Sequence, residues 1–146
     1  MGDLTQIMVP VYAFGMTINE QGWEGAKRFA YSFGAMQLSV IGLKKVVKEQ
    51  RPDGSGNNSF PSGHTAGAFS GATFIHKRYG LKRAVVPYLL AGFTGYSRIY
   101  AEKHYWHDVI AGAALSGFFT WVLVDKYDFQ VSADSEHIKL GFRTEF

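Results

Sequence analysis

His104 and Asp108 form a pair whose side-chain types suit nucleophilic chemistry. The two residues are four positions apart, so on a helix their side chains share a face and can hydrogen-bond. A carboxylate bonded to one imidazole nitrogen fixes the tautomer of the ring and makes the other nitrogen a better nucleophile. A pair of this kind is more often a surface contact than a site. Here an apolar run over residues 109–124 follows it, which places the pair at a helix N-terminus, where anions are favoured.

A second group of candidate residues lies in the turn Pro61-Ser62-Gly63-His64. Small and apolar residues follow this turn, which predicts that Ser62 is the N-cap of a helix. The free backbone N–H groups of the first helical turn, together with the helix dipole, favour a bound oxyanion. His64 stands in that turn, where its imidazole can donate or accept a proton. Without other evidence, the segment would be an ordinary capped helix with a surface histidine.

Basic residues elsewhere in the chain provide counter-charges for an anion. Lys44 and Arg51 are seven residues apart, which is two helical turns, so they are expected to project from nearly the same face of one helix. Arg98 adds a third cation shortly before the His104–Asp108 pair. An arginine guanidinium can bind two oxygens of one phosphate, although a basic helix end alone is usually just solvated. Together the three groups favour a phosphate-binding site over three unrelated surface features.

The elements that must position these residues are predicted to be helices. The expected fold class is all-α, a bundle of about five helices with the active site at helix ends. The predicted helices cover residues 4–18, 23–50, 62–77, 82–96 and 105–126. A turn at 19–22 separates the first two helices, and Pro52 stops the second. The polar loop from Asp53 to Ser59 is interpreted as the rim of the site.

The C-terminal segment has a different pattern. Its apolar residues recur at every second position from Ile138 to Phe142, which is the period of a β-strand. With a turn at 134–136, this pattern predicts a short β-hairpin, the alternative being an ordered tail lying on the bundle. The expected domains are therefore a helical domain, 1–128, and a hairpin or tail, 129–146. The first of these allows for a missing N-terminal leader or first helix.

Composition excludes several classes of protein. With 146 residues, of which 47% are hydrophobic and 16% aromatic, the chain has enough apolar material for one folded domain. A net charge of +3 suits an anionic substrate, but no Lys/Arg block of the kind that binds nucleic acid is present. Cysteine is absent, and neither a zinc-type His or Cys spacing nor a Walker-type loop occurs. The apolar uncharged runs are shorter than the ~20 residues that cross a bilayer, so integral and peripheral membrane association both stay open.

The three segments together resemble the three-part signature of the type-2 phosphatidic acid phosphatase superfamily. That family includes lipid phosphatases, bacterial class A acid phosphatases and vanadium haloperoxidases. The matching segments are Lys44-x6-Arg51-Pro52, Pro61-Ser62-Gly63-His64 and Ser97-Arg98-x5-His104-x3-Asp108. All key positions are present in the family's order, and the flanking helices fit its all-helical bundle. The C-terminal hairpin lies outside the pattern.

The resemblance implies a role for each matched residue. His104 would attack phosphorus and form a phosphohistidine, and Asp108 would orient it. His64 would protonate the leaving oxygen and then activate the water that hydrolyses the intermediate. The phosphoryl oxygens would be bound by the side chains of Lys44, Arg51 and Arg98, the hydroxyl of Ser62 and the backbone N–H of Gly63. No metal and no cofactor would be needed, because the cations and the helix N-terminus take their place. The remaining histidines match nothing and are interpreted as surface residues: His76, His107 and His137.

The function implied by the resemblance is a metal-independent phosphatase acting on a phosphomonoester or pyrophosphate of a lipid or lipid-like substrate. Its expected location is the bacterial envelope, facing the periplasm and in contact with a membrane surface, with no nucleic-acid partner. Three alternatives are an acid phosphatase for small soluble phosphate esters, a vanadate-dependent haloperoxidase and a non-catalytic scaffold. The sequence leaves open the particular substrate, phosphotransfer to an acceptor other than water, and the oligomeric state.

Overall fold

The computed structural model describes residues 2–124, 128–134 and 137–143. Within these ranges the chain forms four α-helices and two β-strands. They are α1 (Gly2–Val47), α2 (Gly63–Tyr79), α3 (Leu81–Tyr100), α4 (Trp106–Leu123), β1 (Asp128–Asp134) and β2 (His137–Arg143). The predicted all-α class is confirmed for the body of the molecule. In the described part of the chain, no helix combines the length and the apolar character needed to span a bilayer.

The centre of the bundle is α2, which packs against each of the other three helices. Nearly every residue from Thr65 to Ile75 is buried, so the helix is enclosed on all sides. Most of these residues are Gly, Ala, Ser or Thr, whose small side chains allow neighbouring helices to approach closely. The N-terminus of this enclosed helix carries the Ser62 turn, so the bundle fixes one wall of the candidate site.

The first two predicted helices are both present and are joined within α1. The turn expected at 19–22 falls at a sharp break, because Gly22 has the non-helical angles φ 66° and ψ −153°. Glycine adopts a positive φ without a steric penalty, so the chain turns back at this residue and the two arms of α1 pack together, with the Phe14 and Phe29 rings 6.5 Å apart. The carboxamide oxygen of neighbouring Gln21 accepts from Arg78 at 2.6 Å, which holds the kink against the end of α2. The count is therefore four helices rather than about five, because α1 joins two of the predicted helices across this break.

The C-terminal end of α1 also differs from the prediction. Lys48 has φ 50°, in the left-handed region, and its N–H donates to the Lys44 carbonyl at 3.3 Å. This is the geometry of a left-handed helix cap, which ends α1 at Val47 rather than near Gln50. Arg51 therefore lies on the loop after α1, and the expectation that it shares a helical face with Lys44 is wrong.

The strands β1 and β2 occupy the segment where a hairpin was expected. They pair antiparallel, with Asp128 opposite Arg143 and Asp134 opposite His137. Residues 135–136 of the expected turn lie outside the described residues. The division of the chain into a helical domain and a C-terminal unit stays a prediction.

Close approach between α2 and α4 brings the two halves of the candidate site together. A Cβ built on Gly112 of α4 would lie 2.6 Å from the Ser62 carbonyl oxygen and 3.2 Å from the Ala66 nitrogen. Beside it, Ser116 Oγ donates to the Ala66 carbonyl at 2.6 Å. Only glycine leaves room for this approach, so Gly112 sets the spacing between the Ser62 turn and the start of α4.

We predict that Gly112→Ala destabilises the protein, because the added methyl group must push α4 away from α2. The expected loss of unfolding free energy is about 1–3 kcal/mol, the range typical of overpacking. Gly117→Ala is the matched control on the same helix, since nothing lies within 4 Å of its Cβ position. That control should be neutral or up to ~1 kcal/mol more stable, because alanine favours helix. Urea unfolding followed by circular dichroism measures both, and equal losses would contradict the prediction.

Candidate active site

The His104–Asp108 pair lies where α3 gives way to α4. His104 is in the loop after α3, and Asp108 is in the first turn of α4, with Tyr105 as the N-cap between them. Asp108 Oδ2 accepts from the Tyr105 N–H at 2.9 Å. The same oxygen is 3.4 Å from His104 Nδ1. The Asp108 side chain is 0% exposed and the His104 side chain is 3% exposed. The pair therefore interacts away from water, where electrostatic contacts are stronger than at a surface.

The carboxylate of Asp108 has further partners. Ser59 Oγ donates to Oδ2 at 2.5 Å, and His107 Nε2 lies 3.2 Å from Oδ1. His107 Nε2 is also 2.8 Å from Glu49 Oε1. Burial is the largest single effect and raises the pKa of Asp108. Several contacts together lower this pKa by more, and the strongest of them are the hydrogen bonds from Ser59 and the Tyr105 N–H. The pKa of Asp108 therefore lies below its usual range, and the group is an ionised carboxylate at neutral pH.

The turn before α2 is held against α4 by its backbone. The Ser62 N–H donates to the Asp108 carbonyl at 3.0 Å. As predicted, Ser62 is the N-cap of α2, and its Oγ accepts from the Thr65 N–H at 3.4 Å. The same Oγ lies 2.9 Å from Thr65 Oγ1, so the hydroxyl predicted to bind a phosphoryl oxygen caps the helix here. Gly63 begins α2, and a half-buried His64 follows it in the first turn.

Lys44 reaches this turn from the end of α1. A Cβ built on Gly63 would lie 3.9 Å from Lys44 Cε, so the lysine runs beside the first residue of α2. Lys44 Nζ donates to the carbonyl oxygens of Asn58 at 2.6 Å and Ser59 at 3.3 Å. Arg51 Nε donates to Asn58 Oδ1 at 2.9 Å. The loop after α1 thus gathers both cations around Asn58, although they do not share a helical face.

Arg98 is joined through its backbone to the loop that carries His104. Its carbonyl accepts from the N–H groups of Lys103 at 3.0 Å and His104 at 3.3 Å. The Lys103 side chain pairs with the carboxylate of Asp53, and the Asp53 N–H donates to the Glu102 carbonyl at 3.0 Å. The polar loop after α1, interpreted from the sequence as a rim, is therefore tied to the loop that carries the imidazole.

Burial and the nearby cations keep the imidazole neutral. Burial is the largest effect and lowers the pKa of His104 to about 4; the Lys44 and Arg51 cations also lower this pKa, and Asp108 opposes them. Burial, together with the Arg51 cation, also lowers the pKa of Lys44 to about 8. At neutral pH the imidazole is uncharged and the lysine is still mostly protonated. An imidazole that donates its Nδ1–H toward Asp108 has a lone pair on Nε2, the atom able to attack an electrophile.

The sequence did not indicate the contacts of some residues around the site. Asn58 and Ser59 belong to the predicted rim, but the loop is irregular and no periodic pattern assigns their side chains a partner. His107 was interpreted as a surface residue, and its side chain is 56% exposed, yet its ring contacts Glu49 and Asp108. One possible metal-ligand atom from each of His107, Glu49 and Asp108 lies within 4.8 Å of the other two, a spacing that would also suit a bound cation. The imidazole–carboxylate contacts account for that spacing.

The other unmatched histidine with a described side chain lies far from this site along α2. His76 is half-buried, with its Nδ1 3.1 Å from Tyr88 Oη and its ring packed edge-on against Trp121. Its interpretation as a surface residue is therefore wrong.

Comparison with known proteins assigns the family. The model of the PAP2 superfamily matches residues 25–131, which include all three signature segments. The chain belongs to the PAP2 superfamily. The resemblance to the type-2 phosphatidic acid phosphatases is thereby confirmed.

The relatives of this PAP2 chain include bacterial lipid A phosphatases. "Lipid A 1-phosphatase" of Porphyromonas gingivalis is 44% identical over an alignment of 127 positions that covers 77% of this chain and 28% of that protein. "Lipid A 4'-phosphatase" of Helicobacter pylori is 27% identical over an alignment of 138 positions that covers 87% of this chain and 69% of that protein. The crystal structure of Aquifex aeolicus LpxE matches with a TM-score of 0.72 at 26% identity, covering 84% of this chain and 80% of that one. This PAP2 chain thus spans little more than a quarter of the Porphyromonas protein.

We predict that His104 titrates with a midpoint near pH 4, and that Lys44→Met raises this midpoint. The reason is that the lysine cation disfavours a second positive charge on the imidazole, so removing it makes protonation easier. Lys45→Met, which removes an exposed charge one residue along α1, is the matched control and should change the midpoint little. NMR titration of histidine-labelled protein measures all three. A wild-type midpoint near 6.5, or equal shifts in both variants, would contradict the prediction.

Proposed function

We propose that this PAP2 chain is a phosphatase that removes phosphate from a lipid or lipid-like substrate through a phosphohistidine intermediate, without a metal or other cofactor. The observation that carries the proposal is the buried His104–Asp108 pair, facing a helix N-terminus and two cations. A neutral imidazole beside an ionised carboxylate is a prepared nucleophile. The cations and backbone donors around it match the charge of a phosphoryl group.

The proposed reaction has two steps. In the first, His104 Nε2 attacks phosphorus while the bond from phosphorus to the leaving oxygen breaks, and His64 gives that oxygen a proton. In the second, His64 takes a proton from water, the resulting hydroxide attacks phosphorus, and the P–N bond breaks to release phosphate and the free imidazole. Asp108 stabilises the positive charge that the imidazole acquires in the first step.

The proposed phosphate cradle combines side chains and backbone. Lys44 and Arg51 come from the end of α1 and its loop, and Arg98 comes from the last turn of α3. The Gly63 N–H lies in the first turn of α2, where the helix dipole favours a negative charge. The Ser62 hydroxyl would turn its proton from Thr65 toward a phosphoryl oxygen when substrate binds. Such a change costs little, since either oxygen of the Ser62–Thr65 contact can be the donor.

A lipid substrate is supported by the printed names of the relatives and by exposed aromatic residues near the nucleophile. Tyr105 and Trp106, directly after His104, are 40% and 62% exposed, and Tyr100 in the last turn of α3 is 81% exposed. Aromatic side chains with a polar atom favour the boundary between water and lipid. We therefore propose that the chain acts at a membrane surface in the bacterial envelope.

His104→Ala should lower phosphate release by about 10³-fold or more, because no other group replaces the covalent route. Chelation with EDTA should leave wild-type turnover unchanged. His76→Gln is the matched control, since this histidine lies near the other end of α2, and it should retain activity. Phosphate release from a lipid phosphate measures all three. Full activity in His104→Ala would refute the assigned nucleophile, and loss of activity with EDTA would refute the metal-independent mechanism.

The substrate class is tested by comparing a lipid phosphate in detergent micelles with a small soluble aryl phosphate. A lipid enzyme should show a kcat/KM at least about 10-fold higher on the lipid, since apolar contacts of ~1.4 kcal/mol already give that factor. Equal values, or a preference for the aryl phosphate, would favour the alternative of an acid phosphatase for soluble esters. The panel of lipids should include phosphatidic acid, phosphatidylglycerol phosphate, undecaprenyl pyrophosphate and lipid A.

A further inference from the structure

Ser59 is a fully buried residue in the loop after α1, and its side chain contacts the His104–Asp108 pair. Its backbone is held on both sides, because its N–H donates to the Glu49 carbonyl at 2.9 Å and its carbonyl accepts from Lys44 Nζ at 3.3 Å. The position of its side chain is therefore set by α1 and the loop after it. None of the three signature segments contains this residue.

The Ser59 side chain is placed between both members of the nucleophilic pair. Its Oγ is 2.5 Å from Asp108 Oδ2 and 3.5 Å from His104 Nδ1. A hydroxyl has one proton to donate, and an ionised carboxylate can only accept. Ser59 therefore donates its hydroxyl hydrogen bond to Asp108 in the short contact. Toward His104, the Ser59 oxygen can then offer only its lone pairs, as an acceptor.

The direction of this hydrogen bond decides which imidazole nitrogen is protonated. Both Asp108 Oδ2 and Ser59 Oγ then present lone pairs to His104 Nδ1, so that nitrogen must carry the proton. If the hydroxyl instead donated to Nδ1, the ring would be protonated on Nε2 and would have no lone pair for phosphorus. The two arrangements differ only in the placement of protons.

We infer that Ser59 is a positioning residue that, by donating its hydroxyl to Asp108, holds His104 in the Nδ1–H tautomer and leaves Nε2 ready to attack phosphorus. The effect on turnover rests on the proposed function, whereas the effect on the tautomer does not. Ser59 also orients the Asp108 carboxylate, since Ser59 Oγ approaches Oδ2 from the loop after α1 and the Tyr105 N–H approaches the same oxygen from the start of α4. A residue that only filled space would stabilise the fold without selecting a tautomer.

The tautomer is measured by ¹⁵N NMR of histidine-labelled protein at pH 7, well above the pKa of His104 of about 4. In the wild type, His104 should show a protonated Nδ1 and an unprotonated Nε2. Ser59→Ala should add a measurable fraction of the Nε2–H form. Ser70→Ala is the matched control, because Ser70 is also a buried serine but donates to the Gly67 carbonyl within α2. An unchanged tautomer in Ser59→Ala would overturn the inference.

Turnover provides the second readout. Ser59→Ala should lower kcat by about 10- to 100-fold, the scale of a hydrogen bond to a charged group, and leave KM within about 2-fold. Ser70→Ala should retain wild-type kcat. A loss confined to KM would show that Ser59 acts on substrate binding and would overturn the inference. If Ser59→Ala does not fold, Ser59→Cys is measured in the same way, since its thiol is close in size and donates only weakly.

The two readouts separate failure of this inference from failure of the proposed function. The tautomer is recorded without substrate, so it tests Ser59 even if the wild-type protein hydrolyses none of the phosphate esters. Conversely, wild-type turnover together with an unchanged tautomer and kcat in Ser59→Ala would reject the role of Ser59 and leave the phosphatase proposal intact.

Discussion

The buried carboxylate of Asp108 is the constraint on which the rest of this site depends. An ionised group without access to water is tolerated only where hydrogen bonds replace its hydration. Here Ser59 and the Tyr105 N–H supply those bonds, and the Asp108 carbonyl in turn accepts from Ser62. The hydrogen bonds of this one residue therefore join three segments: the loop after α1, the turn before α2 and the start of α4. The imidazole of His104 lies where these segments meet because the same carboxylate oxygen faces it.

This convergence requires backbones that approach each other closely. Gly112 allows α4 to lie against the Ser62 turn, and Gly71 allows α1 to cross the middle of α2, where a Cβ would lie 2.7 Å from the Val9 carbonyl oxygen. Because α2 is buried along most of its length, its position leaves little freedom to the turn that precedes it. The small residues in the middle of the central helix, from Thr65 to Thr73, are thus part of what places the polar groups, although none of them touches a substrate in the proposed mechanism.

The sequence was informative where chemistry and helix geometry use the same residues. The four-residue spacing of His104 and Asp108 predicted a contact that the structure shows, and capping preferences identified Ser62 as an N-cap. The sequence was less informative where a single residue changes the backbone. Lys48 ends α1 in a left-handed conformation before Arg51, which the helical pattern does not indicate. The contacts of Ser59 were not predictable, because they join residues 45 and 49 positions apart through an irregular loop with no sequence period.

Because α1 ends before Arg51, the two cations of the first segment lie on different elements, Lys44 on the helix and Arg51 on the loop after it. Lys44 projects from a hydrogen-bonded helix, whereas Arg51 is oriented on a loop by one bond from Nε to Asn58. That bond engages one edge of the guanidinium and leaves the position of the group to the course of the loop. Lys44 is not independent of this loop, because its Nζ donates to the carbonyl oxygens of Asn58 and Ser59. An insertion before Asn58 would therefore displace the hydrogen-bond partners of both cations together. The hydrogen bond from the Tyr105 N–H to Asp108 lies outside the loop and does not depend on its length.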